Sequence, residues 1–235
     1  MTHCIAALSA NAGILLAWNG YKIWVDALHD EPTGGFSSVS PAIWTQMQVS
    51  SSFSPPDLLC FTHCHADHYS RRLAMEAKML WPDVKAFLPE REFDWQFLLS
   101  GDEMKVSCGG LTIRFLRLPH ESAAYAAVPH YGLLISDGTF RVLIAGDCEV
   151  ASPLLARRLN NVPVDLAILD FPWLTLRKGR QFVETVLRPS HLLICHLPFP
   201  ENDVNGYADA VRRAMKLSEL PDIRILSHPL QTQTI

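Results

Sequence analysis

Three histidines and an aspartate fall within six residues, as His63, His65, Asp67 and His68. In an extended segment, residues two apart point to the same side, so His63 and His65 can bind one metal ion together. Asp67 and His68 follow where the chain turns, and they can reach a second position nearby. Two metals about 3.5–4 Å apart that share a water would form a hydrolytic centre. The spacing therefore predicts a two-metal site; the alternative is a surface loop that merely contains histidines.

The elements around this stretch place it at the end of a strand. The apolar run 58–61 predicts a buried strand, and residues 69–81 are rich in helix formers and are followed by Pro82. The histidines therefore lie where a strand gives way to a helix, at the carboxyl end of the strand. Open α/β sheets build their binding sites at such ends.

Four later residues occupy the same kind of position, because each follows a predicted strand: His120, Asp147, Asp170 and His196. Taken singly, a histidine after a strand is more often structural, and Gly-Asp after a strand is usually a turn. Together with the first stretch they predict one site built from several strand ends.

The rest of the chain alternates strands with helices, which is typical of parallel sheet. Asn19-Gly20 between two apolar runs predicts a β-hairpin. Ser40 is the expected N-cap of a short helix that begins at Pro41. Residues 29–41 are rich in Gly, Ser and Pro and form a candidate lid over the site. A further helix is predicted over Pro89–Leu99.

Composition sets the class of protein. The 235 residues are 49% hydrophobic and 19% charged, which is enough apolar material for one large domain spanning 1–235. A net charge of −4 argues against nucleic acid or a membrane surface as the main partner, so we expect a small-molecule substrate. The start Met1-Thr2-His3-Cys4 lacks the basic residues of a secretory signal. Six scattered cysteines without a C-x-x-C pair read as reduced thiols, which predicts a cytoplasmic protein.

His63-x-His65-x-Asp67-His68 matches the H-x-H-x-D-H signature of the metallo-β-lactamase superfamily, and the chain resembles this family over nearly its whole length. The match extends to the opening strands, which end in Asp26, to the later histidine His120, and to Gly146-Asp147 after a strand. The resemblance implies an α/β fold, a four-layer αββα sandwich of two mixed sheets with helices on the outer faces. It also implies a two-metal site along one edge.

The ligand assignment follows from this resemblance residue by residue. It implies that the first metal is held by His63, His65 and His120, the second by Asp67, His68 and His196, and that Asp147 bridges both. Cys148 stands where the family usually has a hydroxyl residue after this aspartate. Two alternatives stay open, His130 in place of His120 and His228 in place of His196.

The ligand types suggest two Zn²⁺ ions per chain, with Mn²⁺ or iron as alternatives. A metal-bridging hydroxide would attack a carbonyl or phosphorus, and Asp67 would act as the catalytic residue that both ligates and orients the nucleophile. The redox flavodiiron branch has a glutamate at the position of His65, so this histidine favours hydrolysis.

The branch within the family is indicated by two segments. Pro119-His120-Glu121 differs from the Gly-His-Ser/Thr of secreted β-lactamases and of glyoxalase II. The segment 165–196 is most similar to the ascorbate-6-phosphate lactonase-like branch. The predicted function is a metal-dependent hydrolase of a small ester, lactone or phosphodiester. The alternatives are a phosphodiesterase of the ribonuclease Z type and a non-catalytic metal-binding scaffold.

Three residues are candidates for substrate contact. His130 precedes a predicted strand, and Asp170 ends another. Trp173 follows Asp170 closely and could form an aromatic wall at the mouth of the site, with core packing as the alternative.

Overall fold

Two seven-stranded sheets organise residues 4–235, which a computed structural model describes. In chain order the strands are β1 (Cys4–Leu8), β2 (Ile14–Trp18), β3 (Tyr21–Val25), β4 (Leu58–Cys60), β5 (Lys85–Leu88), β6 (Phe97–Leu98), β7 (Glu103–Cys108), β8 (Leu111–Arg117), β9 (Tyr131–Ser136), β10 (Arg141–Ile144), β11 (Leu166–Asp170), β12 (His191–Cys195), β13 (Ile223–Ile225) and β14 (Thr232–Thr234). The helices are α1 (Pro41–Val49), α2 (Arg71–Leu80), α3 (Pro153–Leu159), α4 (Pro172–Thr175), α5 (Arg177–Phe182), which continues as a π-helical turn over Val183–Leu187, and α6 (Tyr207–Met215).

The described chain divides into two compact units. The first unit takes the described residues up to Leu99 together with His196–Val204 and Leu226–Ile235, and the second takes Ser100–Cys195 and Asn205–Ile225. Residues 1–3, with His3 and most of the N-terminal start considered above, lie outside the described residues. One domain over 1–235 stays a prediction.

The sheet of the first unit has the strand order β14-β1-β2-β3-β4-β5-β6. Strands β14, β1, β2 and β3 are antiparallel, and β3 to β6 are parallel. The turn between β2 and β3 has both central residues at positive φ, 51° at Asn19 and 82° at Gly20. Such a turn matches the twist of the flanking strands, and it confirms the predicted hairpin.

The two helices of the first unit begin at serine caps. The Ser40 side chain accepts a hydrogen bond from the Ile43 N–H, which confirms the predicted start of α1. Ser70 accepts in the same way from the Leu73 N–H at the start of α2. Because α2 begins directly after the histidine stretch, the cap also fixes where that stretch ends.

The helix predicted over Pro89–Leu99 is wrong, since this segment is irregular and ends in the short strand β6. The Gln96 side chain takes the place of helical bonding. Its Oε1 accepts from the backbone N–H groups of Glu92 and Phe93, both at 2.8 Å, and its amide donates to the Glu90 carbonyl at 2.6 Å. These bonds satisfy backbone groups that would otherwise favour a helix.

The sheet of the second unit has the order β13-β12-β11-β10-β9-β8-β7. Strands β7 to β10 are antiparallel and β10 to β13 are parallel, so its plan repeats that of the first sheet. The turn between β9 and β10 is closed by Asp137, whose Oδ1 accepts from the N–H groups of Thr139 and Phe140. Two mixed sheets with connecting helices are thereby confirmed. Within residues 4–235 no helix is both long and apolar enough to cross a bilayer.

Candidate metal centre

Five predicted ligands lie in the first unit, and we call His63, His65, Asp67, His68 and His196 the His68 cluster. The Nε2 atoms of His68 and His196 are 3.2 Å apart, and Asp67 Oδ2 lies 3.6 Å from His196 Nε2 and 4.0 Å from His68 Nε2. Two nitrogens bound to one tetrahedral zinc at 2.0–2.1 Å would be about 3.3 Å apart. Both imidazoles are buried, so the donor set and its spacing fit a cation.

Of the other two histidines in the stretch, His63 lies beside His68 and His65 lies beside His63. The ring centroids of His63 and His65 are 4.6 Å apart, and those of His63 and His68 are 4.1 Å apart. The His65 carbonyl accepts from the N–H groups of His68 and Tyr69, at 3.0 and 2.9 Å. Because this turn reverses the chain direction, His68 comes to lie next to His63.

The carboxylate of Asp26 orients two of these imidazoles. It is 2% exposed and accepts from the Thr62 N–H at 2.7 Å, from the Thr62 hydroxyl at 2.6 Å and from His68 Nδ1 at 3.0 Å. A carboxylate only accepts, so His68 carries its proton on Nδ1 and presents the Nε2 lone pair to the cluster. The Thr62 hydroxyl, having donated to Asp26, accepts from His63 Nδ1 at 3.0 Å and sets the same tautomer there.

Asn11 connects Asp67 with His196. The side-chain amide of Asn11 donates to the Asp67 backbone carbonyl at 3.3 Å, and the backbone carbonyl of Asn11 accepts from the His196 N–H at 2.9 Å. His196 has φ +57°, a left-handed backbone that a histidine adopts at a cost, so the bond to Asn11 helps to hold it. Neither Asn11 nor a role for Thr62 was predicted from the sequence, because neither residue belongs to a ligand motif.

His29 lies fully buried next to the Asp26 backbone, with its Nδ1 donating to the Asp26 carbonyl at 2.9 Å. Burial, the largest cause, lowers the pKa of His29 to about 4, although the hydrogen bond to the carbonyl acts in the opposite direction. The imidazole is therefore neutral at physiological pH. His228, the alternative to His196, is exposed and lies against Ser227.

The second unit holds the remaining predicted ligands, and we call His120, His130 and Asp147 the His120 cluster. His120 Nε2 is 3.9 Å from Asp147 Oδ2. Its Nδ1 donates to the Glu121 carbonyl at 2.7 Å, so the Nε2 lone pair faces the carboxylate. An antiparallel bridge between His120 and Cys148, and a bond from the Glu121 N–H to the Asp147 carbonyl, hold the two segments together.

His130 belongs to the same cluster through its contact with His120. Its ring centroid is 5.6 Å from that of His120, and its carbonyl accepts from the Leu118 N–H. The structure thus places His120 next to Asp147, and the alternative of His130 as the ligand stays open.

The predicted substrate contacts differ in their burial. Asp170 ends β11 and is 7% exposed. Trp173 is fully buried in α4, with its ring centroid 5.6 Å from that of Phe182, which fits the core-packing alternative. The neighbouring Phe171 is half-buried and packs against Tyr207 at 4.8 Å. A role of His130, Asp170 or Trp173 in substrate binding stays a prediction.

The comparison with known families identifies the class. The model of the β-lactamase superfamily domain matches residues 21–194, and the chain belongs to this family. Family membership confirms the predicted metallo-β-lactamase fold and the predicted enzyme class, a metal-dependent hydrolase. The similarity to the ascorbate-6-phosphate lactonase-like branch stays a prediction.

Solved structures share the fold at low sequence identity. The metallo-β-lactamase fold protein YhfI from Bacillus subtilis is 14% identical over 100% of both chains, with a TM-score of 0.69. The isothiocyanate hydrolase from Delia radicum gut bacteria is 18% identical over 98% of both chains, with a TM-score of 0.68. CmlA, a diiron β-hydroxylase from Streptomyces venezuelae, is 16% identical over 100% of this chain and 55% of that one, with a TM-score of 0.66. No curated protein matches the chain.

Proposed function

We propose that the protein is a dinuclear hydrolase that cleaves a small ester, lactone or phosphodiester. The observation that carries the proposal is the convergence of Asp67, His68 and His196 in the His68 cluster, with ligand atoms within 4.8 Å of one another. Exposed acidic groups often cluster without a metal, but here both imidazoles are buried. Imidazole nitrogens and a carboxylate oxygen at this spacing are a ligand set that zinc or a similar cation accepts.

The proposed ligand set follows the family signature. His63, His65 and His120 would hold the first metal, Asp67, His68 and His196 the second, and Asp147 would bridge them. Zinc suits imidazole and carboxylate donors, with manganese or iron as alternatives; the diiron CmlA shows that iron occurs in another protein of this fold. When bound, the metals supply a Lewis acid and lower the pKa of an attacking water.

The residues of the chain have separate tasks in this proposal. Asp26 and Thr62 keep His68 and His63 in the tautomer that presents Nε2. Asp67, which is 15% exposed, is the catalytic residue that ligates and accepts a hydrogen bond from the attacking water. His130 and Asp170 are proposed to contact the substrate, as is Trp173 if the core around it opens.

The setting of the reaction is also a proposal. None of the six cysteines forms a disulfide within the described chain, which supports a reducing compartment and hence the cytoplasm. A small-molecule substrate is supported by the acidic net charge of −4.

Metal analysis of the purified full chain tests the site. We expect near two equivalents of zinc, manganese or iron per chain. Asp67→Ala and His68→Ala should each remove about one equivalent or more, because each deletes a ligand of the second position. His228→Ala is the matched control, since His228 is exposed, and it should retain the full metal content. Less than half an equivalent in the wild type, unchanged by these variants, would contradict the proposal.

An activity panel tests the chemistry separately. We expect turnover of at least one ester, lactone or phosphodiester, lost in Asp67→Ala by about 100-fold or more. Full metal occupancy without turnover across a broad panel would favour the non-catalytic scaffold. Ribonuclease activity predicts tRNA binding that weakens steeply with salt, and absence of binding at low salt would remove it.

A further inference from the structure

A groove of about 550 Å³ lies in the first unit, and we call it the Phe36 groove after one of its walls. Aromatic and aliphatic side chains form much of its lining, among them Phe36, Ile43, Phe199 and Val204. Its volume lies within the range of small-molecule sites, roughly 300–1,000 Å³. No step of the proposed hydrolysis described above uses it.

Phe36 connects this groove with the His68 cluster. Its ring packs edge-on against the imidazole of His196, with 4.6 Å between centroids. Phe199, three residues after His196, lines the groove from the same segment. Phe36 therefore both lines the groove and packs against His196, a candidate metal ligand.

The segment that carries Phe36 is held by hydrogen bonds on both sides. The buried Ser37 hydroxyl accepts from the Phe199 N–H at 2.8 Å and from the Asn202 amide at 2.9 Å. On the other side, the Phe36 N–H donates to the Thr33 carbonyl across Gly34 and Gly35, whose φ values are +58° and +87°. Ser37 on one side and the glycine turn on the other therefore hold Phe36 in its position against His196.

The charge of the groove restricts what it can bind. Among the described residues that line it, Glu201 carries the one charge and no lysine, arginine or histidine takes part. The remaining polar lining consists of serine hydroxyls and the Asn202 amide. A phosphate or carboxylate would therefore meet a negative charge with no cation to offset it, whereas an apolar group would be desolvated on several sides.

We propose that the Phe36 groove binds an uncharged, apolar substituent of the substrate, and that Phe36 sets the boundary between this substituent and the reacting group. The inference rests on the proposed function and narrows it. An ester or lactone that carries an apolar chain fits the groove. A substrate whose substituent at this position carries a phosphate or other negative charge does not. Phe36 is accordingly a specificity-determining residue.

Calorimetric titration with non-hydrolysable probes tests the proposal. The probes are neutral N-alkylacetamides with chains of three to eight carbons and the carboxylates of matched length. We expect the affinity of the amides to rise about fourfold per methylene, which corresponds to ~0.8 kcal/mol, until the groove is filled. The carboxylates should bind at least about tenfold more weakly to metal-free protein.

Measurement on both metal-loaded and metal-free full chain separates this proposal from the preceding one. The groove is formed by the chain itself, so amide binding should persist after chelation. If metal analysis fails while chain-length-dependent binding persists, the dinuclear hydrolase is contradicted and the groove is not. If the metal is present but affinity is independent of chain length, the groove proposal is overturned.

Matched variants locate the binding. Val204 is 86% exposed, so Val204→Asp should fold normally and weaken binding of the longer amides about fivefold or more. Val49, 78% exposed and outside the groove, supplies the control Val49→Asp, which should bind as the wild type does. Equal binding by the two variants would overturn the assignment.

Charge and boundary variants complete the test. Glu201→Lys should raise carboxylate affinity about tenfold, and Glu201→Gln should give a smaller rise. Phe36→Ala should let the affinity continue to rise at longer chains, whereas Phe36→Leu should saturate where the wild type does. Unchanged carboxylate affinity in Glu201→Lys, or unchanged saturation in Phe36→Ala, would count against the respective assignment.

Discussion

The two units orient their candidate ligands in different ways. In the first unit, His68 and His63 are held by side chains, the carboxylate of Asp26 and the hydroxyl of Thr62. In the second unit, His120 is held by a backbone carbonyl, that of Glu121. Both arrangements fix the same tautomer, but a side-chain acceptor can be removed by mutation and a carbonyl cannot.

The acceptors behind His68 and His120 also differ in charge. Asp26 places a negative charge against the imidazole of His68, which raises the basicity of the ligand as well as fixing its ring. The Glu121 carbonyl is neutral and supplies orientation alone. We therefore expect the His68 cluster to be more sensitive to substitutions behind its ligands than the His120 cluster.

The largest effect is expected from Asp26→Ala. The change leaves the Thr62 N–H, the Thr62 hydroxyl and His68 Nδ1 without their buried acceptor. The free energy of unfolding should fall by about 3 kcal/mol, and metal affinity by roughly 10–100-fold. Urea denaturation and competition with a chelator measure the two quantities.

Asp165→Ala serves as the control for this change in the second unit. Asp165 is half-buried and accepts one backbone bond, from the Arg141 N–H at 2.8 Å. Its loss should cost about 1 kcal/mol and leave metal affinity unaltered. Equal effects of the two aspartates on metal binding would break the comparison between the units.

His29 is a histidine of the first unit that is oriented by a backbone carbonyl, and its expected signature is pH dependence. Its pKa of about 4 lies below the ordinary value of about 6.5. Below pH 6.5 His29 becomes protonated in the unfolded chain but stays neutral in the folded chain. The stability that is present above pH 6.5 is therefore lost as the pH falls toward 4. Between pH 7 and pH 5 the loss should be about 2 kcal/mol.

Denaturation of metal-free wild type and His29→Asn at both pH values isolates this contribution. An asparagine amide can still donate to the Asp26 carbonyl, so the variant keeps that bond while losing the titrating group. The wild type should lose about 2 kcal/mol more than the variant on acidification. Parallel pH profiles would contradict the assignment.

Thr62→Val should have a moderate effect. Valine has nearly the shape of threonine but cannot link Asp26 with His63. We expect a loss of about 1–2 kcal/mol in unfolding free energy and a smaller decrease in metal affinity than in Asp26→Ala. Thr62→Ser, which keeps the hydroxyl, should remain closer to the wild type in both measurements.

The smallest effect is expected from Glu121→Ala. The carbonyl that holds His120 belongs to the backbone and survives the change. Unfolding free energy should shift by less than about 0.5 kcal/mol and metal affinity by less than about twofold. A large loss of metal in this variant would show that the Glu121 side chain acts on the site.

Features encoded by neighbouring residues could be predicted from the sequence. The stretch from His63 to His68 is a local pattern, and its turn depends on hydrogen bonds within that stretch. The hairpin at Asn19-Gly20 and the cap at Ser40 are likewise decided by residues close in sequence. For the same reason the order of strands and connecting helices followed from periodicity.

Features that depend on distant partners could not be predicted. The bond between Asn11 and Asp67 joins positions far apart in the chain, and no spacing announces it. The helix predicted over Pro89–Leu99 failed for a local reason instead, because the Gln96 side chain bonds to backbone groups only three to six residues away. Strand β14 is short and polar, and it forms because β1 offers it an open edge.

The discontinuity of the first unit has a consequence for synthesis on the ribosome. Its sheet is completed by β14 and its His68 cluster by His196, whereas all residues of the second unit lie before Leu226. Although domains usually fold in the order in which they emerge, the second unit here has its last strand before the first unit does. A nascent chain that ends before His196 would lack a residue of the His68 cluster. We therefore expect tight metal binding only after His196 has left the ribosome.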